Sequence, residues 1–136
     1  MAISKKSLYG INALYYLSKK ELNEPTSIQE IAENSNIPKK FLEQILVELK
    51  NNDMLVSIRG NKGGYLLAKD PSQIFVIDII TALDKNFCVS NDDIADSMIK
   101  NFFVDVLKKI EQAFHVSLVD LDEYHISAYD AYMYVI

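Results

Sequence analysis

The feature that most restricts this chain is the run 27-SIQEIAENSNIPKKFLEQILVELKNNDMLVSIRGNKGGYLL-67, where two amphipathic segments lead directly into two apolar runs around a glycine-rich loop. Ser27 and Glu30 have the S-x-x-E spacing of a capping box, which opens a short helix with Ile28, Ile31 and Ala32 on one side. Asn34, Ser35 and Asn36 break it. Pro38 suits the first turn of a second helix, because the amide it lacks would have no intrahelical partner there. Leu42, Ile45, Leu46 and Leu49 then recur at helical spacing, while Lys39, Lys40, Glu43, Gln44 and Lys50 occupy the other face. A short helix, a tight turn and a longer helix with a polar outer face form a helix-turn-helix, in which the first helix braces the second for entry into a major groove. Pairs of amphipathic helices with a purely structural role share this pattern.

The next residues narrow the choice. Leu55, Val56 and Ile58, then Tyr65, Leu66 and Leu67, are strand-like runs separated by Arg59-Gly60-Asn61-Lys62-Gly63-Gly64. A hairpin immediately after a helix-turn-helix is a wing. Its glycines permit positive φ and close approach to a phosphate or a narrow minor groove, and Arg59 and Lys62 supply charge at the tip. A hairpin that merely closes the sheet is the alternative. The loop matches neither the P-loop nor the G-x-G-x-x-G nucleotide fingerprint.

Upstream, Ser4 can cap a first helix whose apolar positions Leu8, Ile11, Leu14, Tyr15 and Leu17 keep the helical rhythm until Asn23-Glu24-Pro25 ends it. Charge is divided unevenly: ten Lys/Arg face seven Asp/Glu through residue 69, and four face twelve thereafter, within a net charge of −5. A basic amino-terminal half is the asymmetry expected where one end meets a polyanion. At 136 residues and 49% hydrophobic content the chain supports one compact domain, or a small domain with a long appendage. No run resembles a signal peptide or a membrane span, so a cytoplasmic protein without membrane contact is expected.

The carboxy-terminal half predicts a helix over 94–114, with Ile94, Met98, Phe102, Val106, Ile110 and Phe114 in one row and Ile99, Phe103 and Leu107 beside it. That stripe is broad enough to pack against its own domain and a symmetry mate. Asp92, Asp93 and Asp96 read as charges favourable at a helix N-terminus rather than a calcium loop. Cys88 is the only cysteine, which excludes an intrachain disulfide and the multi-cysteine zinc and iron–sulfur sites. It is either a buried, inert thiol or a redox-reactive one, with no basic neighbour in sequence closer than Lys85. His115 and His125 read as capping or surface residues. The tail 117–136 holds four of the eight tyrosines.

The runs FLEQIL (41–46), VSIRGNKGGYLLAKDP (56–71) and VIDIITALD (76–84), with the basic start ISKKSLYGINALYYL (3–17), make the chain resemble the Rrf2 family of bacterial transcription regulators. The resemblance implies a mainly α fold with a small β-hairpin wing. Residues 1–84 would form the winged helix-turn-helix, and 85–136 a long dimerisation helix with an aromatic tail, a possible signal or partner region. It further implies a homodimer that binds a palindromic operator in double-stranded DNA, most often as a repressor. On that reading the recognition helix, 38–51, presents Lys39, Lys40, Phe41, Glu43 and Gln44, and the wing, 58–67, presents Arg59, Lys62 and Gly63 with Ser57 just before it. Glu43 can accept from a cytosine amino group and Gln44 can pair with an adenine edge, whereas the lysines suit phosphates. Glu43 paired with a neighbouring lysine, and Arg59 paired within its own chain, are the plainer alternatives. The dimer interface would fall on Met98, Phe102, Val106 and Ile110.

Two positions depart from the family pattern, Asn12 where an arginine recurs and Pro38 where a capping serine is common. The family's iron–sulfur branch carries three cysteines before the long helix; here KNFCVSNDDIAD offers Cys88 alone, so no cluster and no metal are expected. The ending DAYMYVI resembles the branch that controls cysteine metabolism in low-GC Gram-positive bacteria, which can be governed by a protein corepressor; a tail packed on its own dimer is the alternative. A winged-helix adaptor working through protein contacts, with Cys88 as a redox sensor, is the competing function. No Ser/His/Asp constellation or paired histidine ligands suggest an enzyme.

Overall fold

A computed structural model describes residues 2–21, 23–85, 87 and 97–124. The elements are α1 (Lys5–Ser18), α2 (Ile28–Ser35), α3 (Lys39–Asn51), β1 (Leu55–Ile58), β2 (Gly64–Leu67), α4 (Val76–Leu83) and α5 (Ser97–Ala113). A mainly α fold with one two-stranded antiparallel hairpin is therefore observed.

Helix α1 starts where Ser4 Oγ accepts the N–H of Ser7 at 3.2 Å, satisfying one of the donors that a helix start leaves open. It buries Ala13, Leu14 and Leu17. Gly10 is its point of closest approach to the other helices: a Cβ there would lie 2.3 Å from Leu83 Cδ1 and 3.6 Å from Ile45 Cγ2. The three-helix contact is thus tighter than an alanine allows.

Helix α2 is capped by Ser27, whose Oγ accepts from the Glu30 N–H at 3.1 Å. The capping pattern read from sequence forms in its forward half, while the Glu30 carboxylate turns instead to Tyr16 and Lys20, at 2.7 and 2.8 Å. Asn36 ends the helix in the left-handed region, φ 54°, a conformation its short amide side chain tolerates. Asn12 of α1 spans the same turn by donating to the Ser35 carbonyl at 3.1 Å. Helix α3 then buries Leu42, Ile45, Leu46 and Leu49. These pack with Leu14, Ile31, Leu55, Ile74, Ile79 and Leu118 into the main core, each side chain contributing roughly 1.5–3 kcal/mol.

In the hairpin Leu55 faces Leu67 and Ile58 faces Gly64. A single residue ahead of α2 extends the sheet: Thr26 donates to Tyr65 O at 3.0 Å and accepts from Tyr65 N–H at 2.8 Å. Gly64, at φ 156°, permits this, because a Cβ there would sit 2.2 Å from the Thr26 carbonyl oxygen. Both edges of α3 are thereby held, one by α2 and the other by a wing tied back to the α2 linker.

Beyond α5 the chain returns to the domain. Phe75, at the start of α4, offers no side-chain cap; the N–H groups of Val76 and Ile77 donate to Val116 O (2.8 Å) and Phe114 O (3.0 Å) instead. Ser117 and Asp120 cap each other's backbone at 3.0 and 3.1 Å, and Leu118 is fully buried in the main core. Val76, Ile80 and Phe87 form a second cluster on which Ile110 and Phe114 pack. The helix predicted over 94–114 is seen as Ser97–Ala113, and 94–96 lie outside the described residues. Among the described residues no helix is long and apolar enough to cross a membrane.

Candidate nucleic-acid interface

Helix α3 and the wing present their polar residues to solvent. Lys39, Lys40, Glu43 and Gln44 are exposed along the face of α3 opposite the buried leucines. Glu43 forms no ion pair with Lys39 or Lys40, and Arg59 forms none with any described residue. Arg59 and Lys62 stand exposed at the wing tip. Gly63 donates its N–H to the Gly60 carbonyl at 3.0 Å, so that amide is already used in closing the tip. Ser57 is half-buried opposite Tyr65.

Phe41 occupies a different position from its neighbours. It is half-buried, with its ring edge-on to Tyr9 at 5.5 Å. Lys5 Nζ lies 5.7 Å from the Tyr9 ring centre. The row Lys5–Tyr9–Phe41 thus adds a cation from the start of α1 beside the first turn of α3. Sequence reading missed Lys5 and Tyr9; the basic start was visible, but its pairing with Phe41 depends on how α1 crosses α3.

Three cations in or just after α1 are engaged. Lys6 pairs with Glu48, Lys19 with Asp122 and Lys20 with Glu30. The two tyrosines between these groups follow one plan: Tyr15 donates to Asp122 and Tyr16 to Glu30. Hydrogen bonds from Lys20 and then Tyr16 hold the Glu30 carboxyl below the usual carboxylate range. At Asp84, partial burial opposes ionisation, but bonds from Ser4 N–H (3.0 Å) and Ser7 Oγ (2.6 Å) prevail and lower its pKa. Among the described residues, Lys39, Lys40, Lys50, Arg59, Lys62 and Lys69 make no ion pair, nor do Lys5, Lys85, Lys100 and Lys108.

Along α5, Met98 and Phe102 are 73% and 62% exposed, and Ile99 and Phe103 are also exposed. Val106 is half-buried, and Ile110 packs on the second cluster of its own domain. His115 is exposed and stacked on Phe75 with ring centres 4.1 Å apart. Cys88, His125 and tyrosines 129, 132 and 134 lie outside the described residues. No group of three or more His, Cys, Asp or Glu that could hold a metal ion occurs among the described residues.

An exposed second helix with a braced turn on one side and a basic hairpin on the other defines a winged helix-turn-helix. The chain belongs to the Rrf2 family, whose sequence profile, described as an iron-dependent transcriptional regulator, matches residues 3–124. It is similar to the HTH-type transcriptional regulator CymR of Bacillus subtilis (strain 168), with 40% identity over 84 residues, 62% of this chain and 61% of that protein. It is also similar to the regulator IscR of Xenorhabdus nematophila, with 33% identity over 86 residues, 63% of this chain and 52% of that one. The aligned region thus spans between half and about three fifths of these curated relatives. The solved structure of CymR (YrzC), titled the global cysteine regulator of B. subtilis, superposes with a TM-score of 0.77 at 30% identity, over 91% of this chain and 98% of that one. These relatives are transcriptional regulators, not enzymes.

Proposed function

We propose that this chain is a cytoplasmic, homodimeric repressor that binds a palindromic operator through α3 and the wing. The carrying observation is the placing of exposed cations on the two elements that flank a groove-reading face: Lys39 and Lys40 on α3 and Arg59 and Lys62 at the wing tip are exposed and make no ion pair among the described residues. An unpaired cation on a rigid face exchanges only water and counterions for phosphates. Lys39 and Lys40 at the start of α3, with Arg59 and Lys62, position the domain on the backbone; Glu43 and Gln44 read base edges in the major groove. Residues 1–84 carry the DNA contacts. Residues 85–136 carry dimerisation, with exposed Met98 and Phe102 at the twofold axis and Val106 and Ile110 continuing the seam toward the domain. Half-sites then lie about one helical turn, ~34 Å, apart.

A resident iron–sulfur cluster does not fit the donor set, since one cysteine provides a single thiolate per chain. Regulation in this reading passes through a protein corepressor at the carboxy-terminal region, as the resemblance of the ending DAYMYVI implies.

The test is selection of bound duplexes from a randomised pool with the wild type, Glu43→Ala and Arg59→Ala. The expected product is an inverted repeat, blurred at defined positions by Glu43→Ala, with Arg59→Ala weakening binding evenly across sequences. No enrichment at low salt, with or without cell extract as a source of corepressor, would overturn the reading.

A further inference from the structure

One residue on the outer face of α3 does not belong with its surroundings. Val47 is 49% exposed and packs in neither core cluster. It lies one helical turn beyond Glu43 and Gln44, two turns beyond Lys40 and one turn before Asn51. At about 100° per residue it falls between Glu43 and Gln44 on the wheel, opposite Leu42, Ile45, Leu46 and Leu49. Single exposed apolar side chains are common. This one sits at the middle of an otherwise polar face, at a position where a β-branched residue is a weaker helix former than Lys, Glu or Gln.

We infer that Val47 is a base-reading residue that recognises the C5 methyl group of a thymine in the major groove. The inference rests on the DNA-binding reading above and adds a specificity that the polar residues cannot supply. Its isopropyl group has no donor or acceptor, so it cannot distinguish bases by hydrogen bonding. Thymine is the base that presents a methyl group at the major-groove surface, and apolar side chains are the partners that recognise it. It shares their angular sector one turn further along the helix, which puts that contact in line with the two side chains suited to cytosine and adenine edges. One half-site would then be read by a carboxylate and an amide, with a branched apolar group one turn beyond them.

Replacing thymine by deoxyuracil, one position at a time, in the operator recovered by selection removes the methyl group and nothing else. For the wild type, one position per half-site should lose affinity about fourfold, the scale of one buried methyl group. In Val47→Ser, which presents a hydroxyl in place of the methyl groups, that position should become indifferent to the exchange while every other thymine responds as before, and in Val47→Ala, whose one methyl can still touch thymine, the response there should shrink. Helix content by circular dichroism should stay unchanged, since alanine is the better helix former. Equal responses of wild type and Val47→Ser at every thymine, or no methyl-sensitive position, would overturn the role of Val47 while leaving operator binding intact. A wild type that binds no duplex would overturn both readings.

Discussion

Helices α3 and α5 are both amphipathic, yet among the described residues only α3 has its apolar face fully buried. In α3 the apolar residues Leu42, Ile45, Leu46 and Leu49 are all fully buried, and the outer face is mostly polar. In α5 no residue is buried, and Met98, Ile99, Phe102 and Phe103 face solvent. The difference shows that an apolar stripe reports a need for cover without saying which molecule provides it. For α3 the cover is α1, α2, α4 and the hairpin; the first turns of α5 are left exposed, which is what the proposed dimer would cover.

Matched truncations sharpen that contrast. Leu46→Ala should cost about 3 kcal/mol of stability in urea unfolding, within the range for core leucines, and the loss should be independent of protein concentration. Phe102→Glu should leave the monomer folded but abolish the dimer in sedimentation, and lower affinity for a two-half-site operator by roughly 100-fold or more through the lost second contact. A Phe102→Glu protein that sediments and binds like the wild type would remove α5 from the interface. Smaller again, Arg59→Ala should weaken operator binding about evenly across sequences and reduce the salt slope by about one counterion. An unchanged slope would mean that the wing tip does not touch the backbone.

The smallest effect belongs to a carboxylate that its own chain engages, Glu30. Glu30 has a folded pKa lowered by Lys20 and Tyr16, so its contribution is present above the unfolded value of about 4.3 and is lost as pH falls through the lower folded value. Glu30→Gln should therefore flatten the acid limb of the stability curve as pH falls below the unfolded value. Because Glu30 is well exposed, solvent screening keeps the difference small.

Much of the fold was legible wherever one residue type repeats at a fixed spacing. The α3 stripe, the Ser4 and Ser27 caps and the two strand runs all appear at or within a residue or two of where their patterns place them. What escaped notice lacks a period. Thr26 joins the sheet as a single residue, and nothing local marks a one-residue bridge. The return of 117–121 was read as the beginning of a tail, although Ser117 and Asp120 carry a capping spacing that could have marked it. For the interface, charge and helical spacing identified Lys39, Lys40, Glu43, Gln44, Arg59 and Lys62 as polar residues suited to an outward face, and all six are exposed. Which cations are paired was not legible, because Lys19 and Asp122 are distant in sequence and meet only through the tertiary fold.

The seating of Leu118 in the main core, with the Phe114 and Val116 carbonyls on the start of α4, has a consequence for biosynthesis. The helix-turn-helix is encoded early, but its hydrophobic interior and the first turn of α4 stay open until the end of α5 has been translated. Domains fold as units while the chain emerges, and here the unit closes late. A nascent chain that has emerged only as far as the hairpin therefore still lacks part of the interior that holds the helix-turn-helix in shape, and that shape is secured only once residues 114–118 have followed.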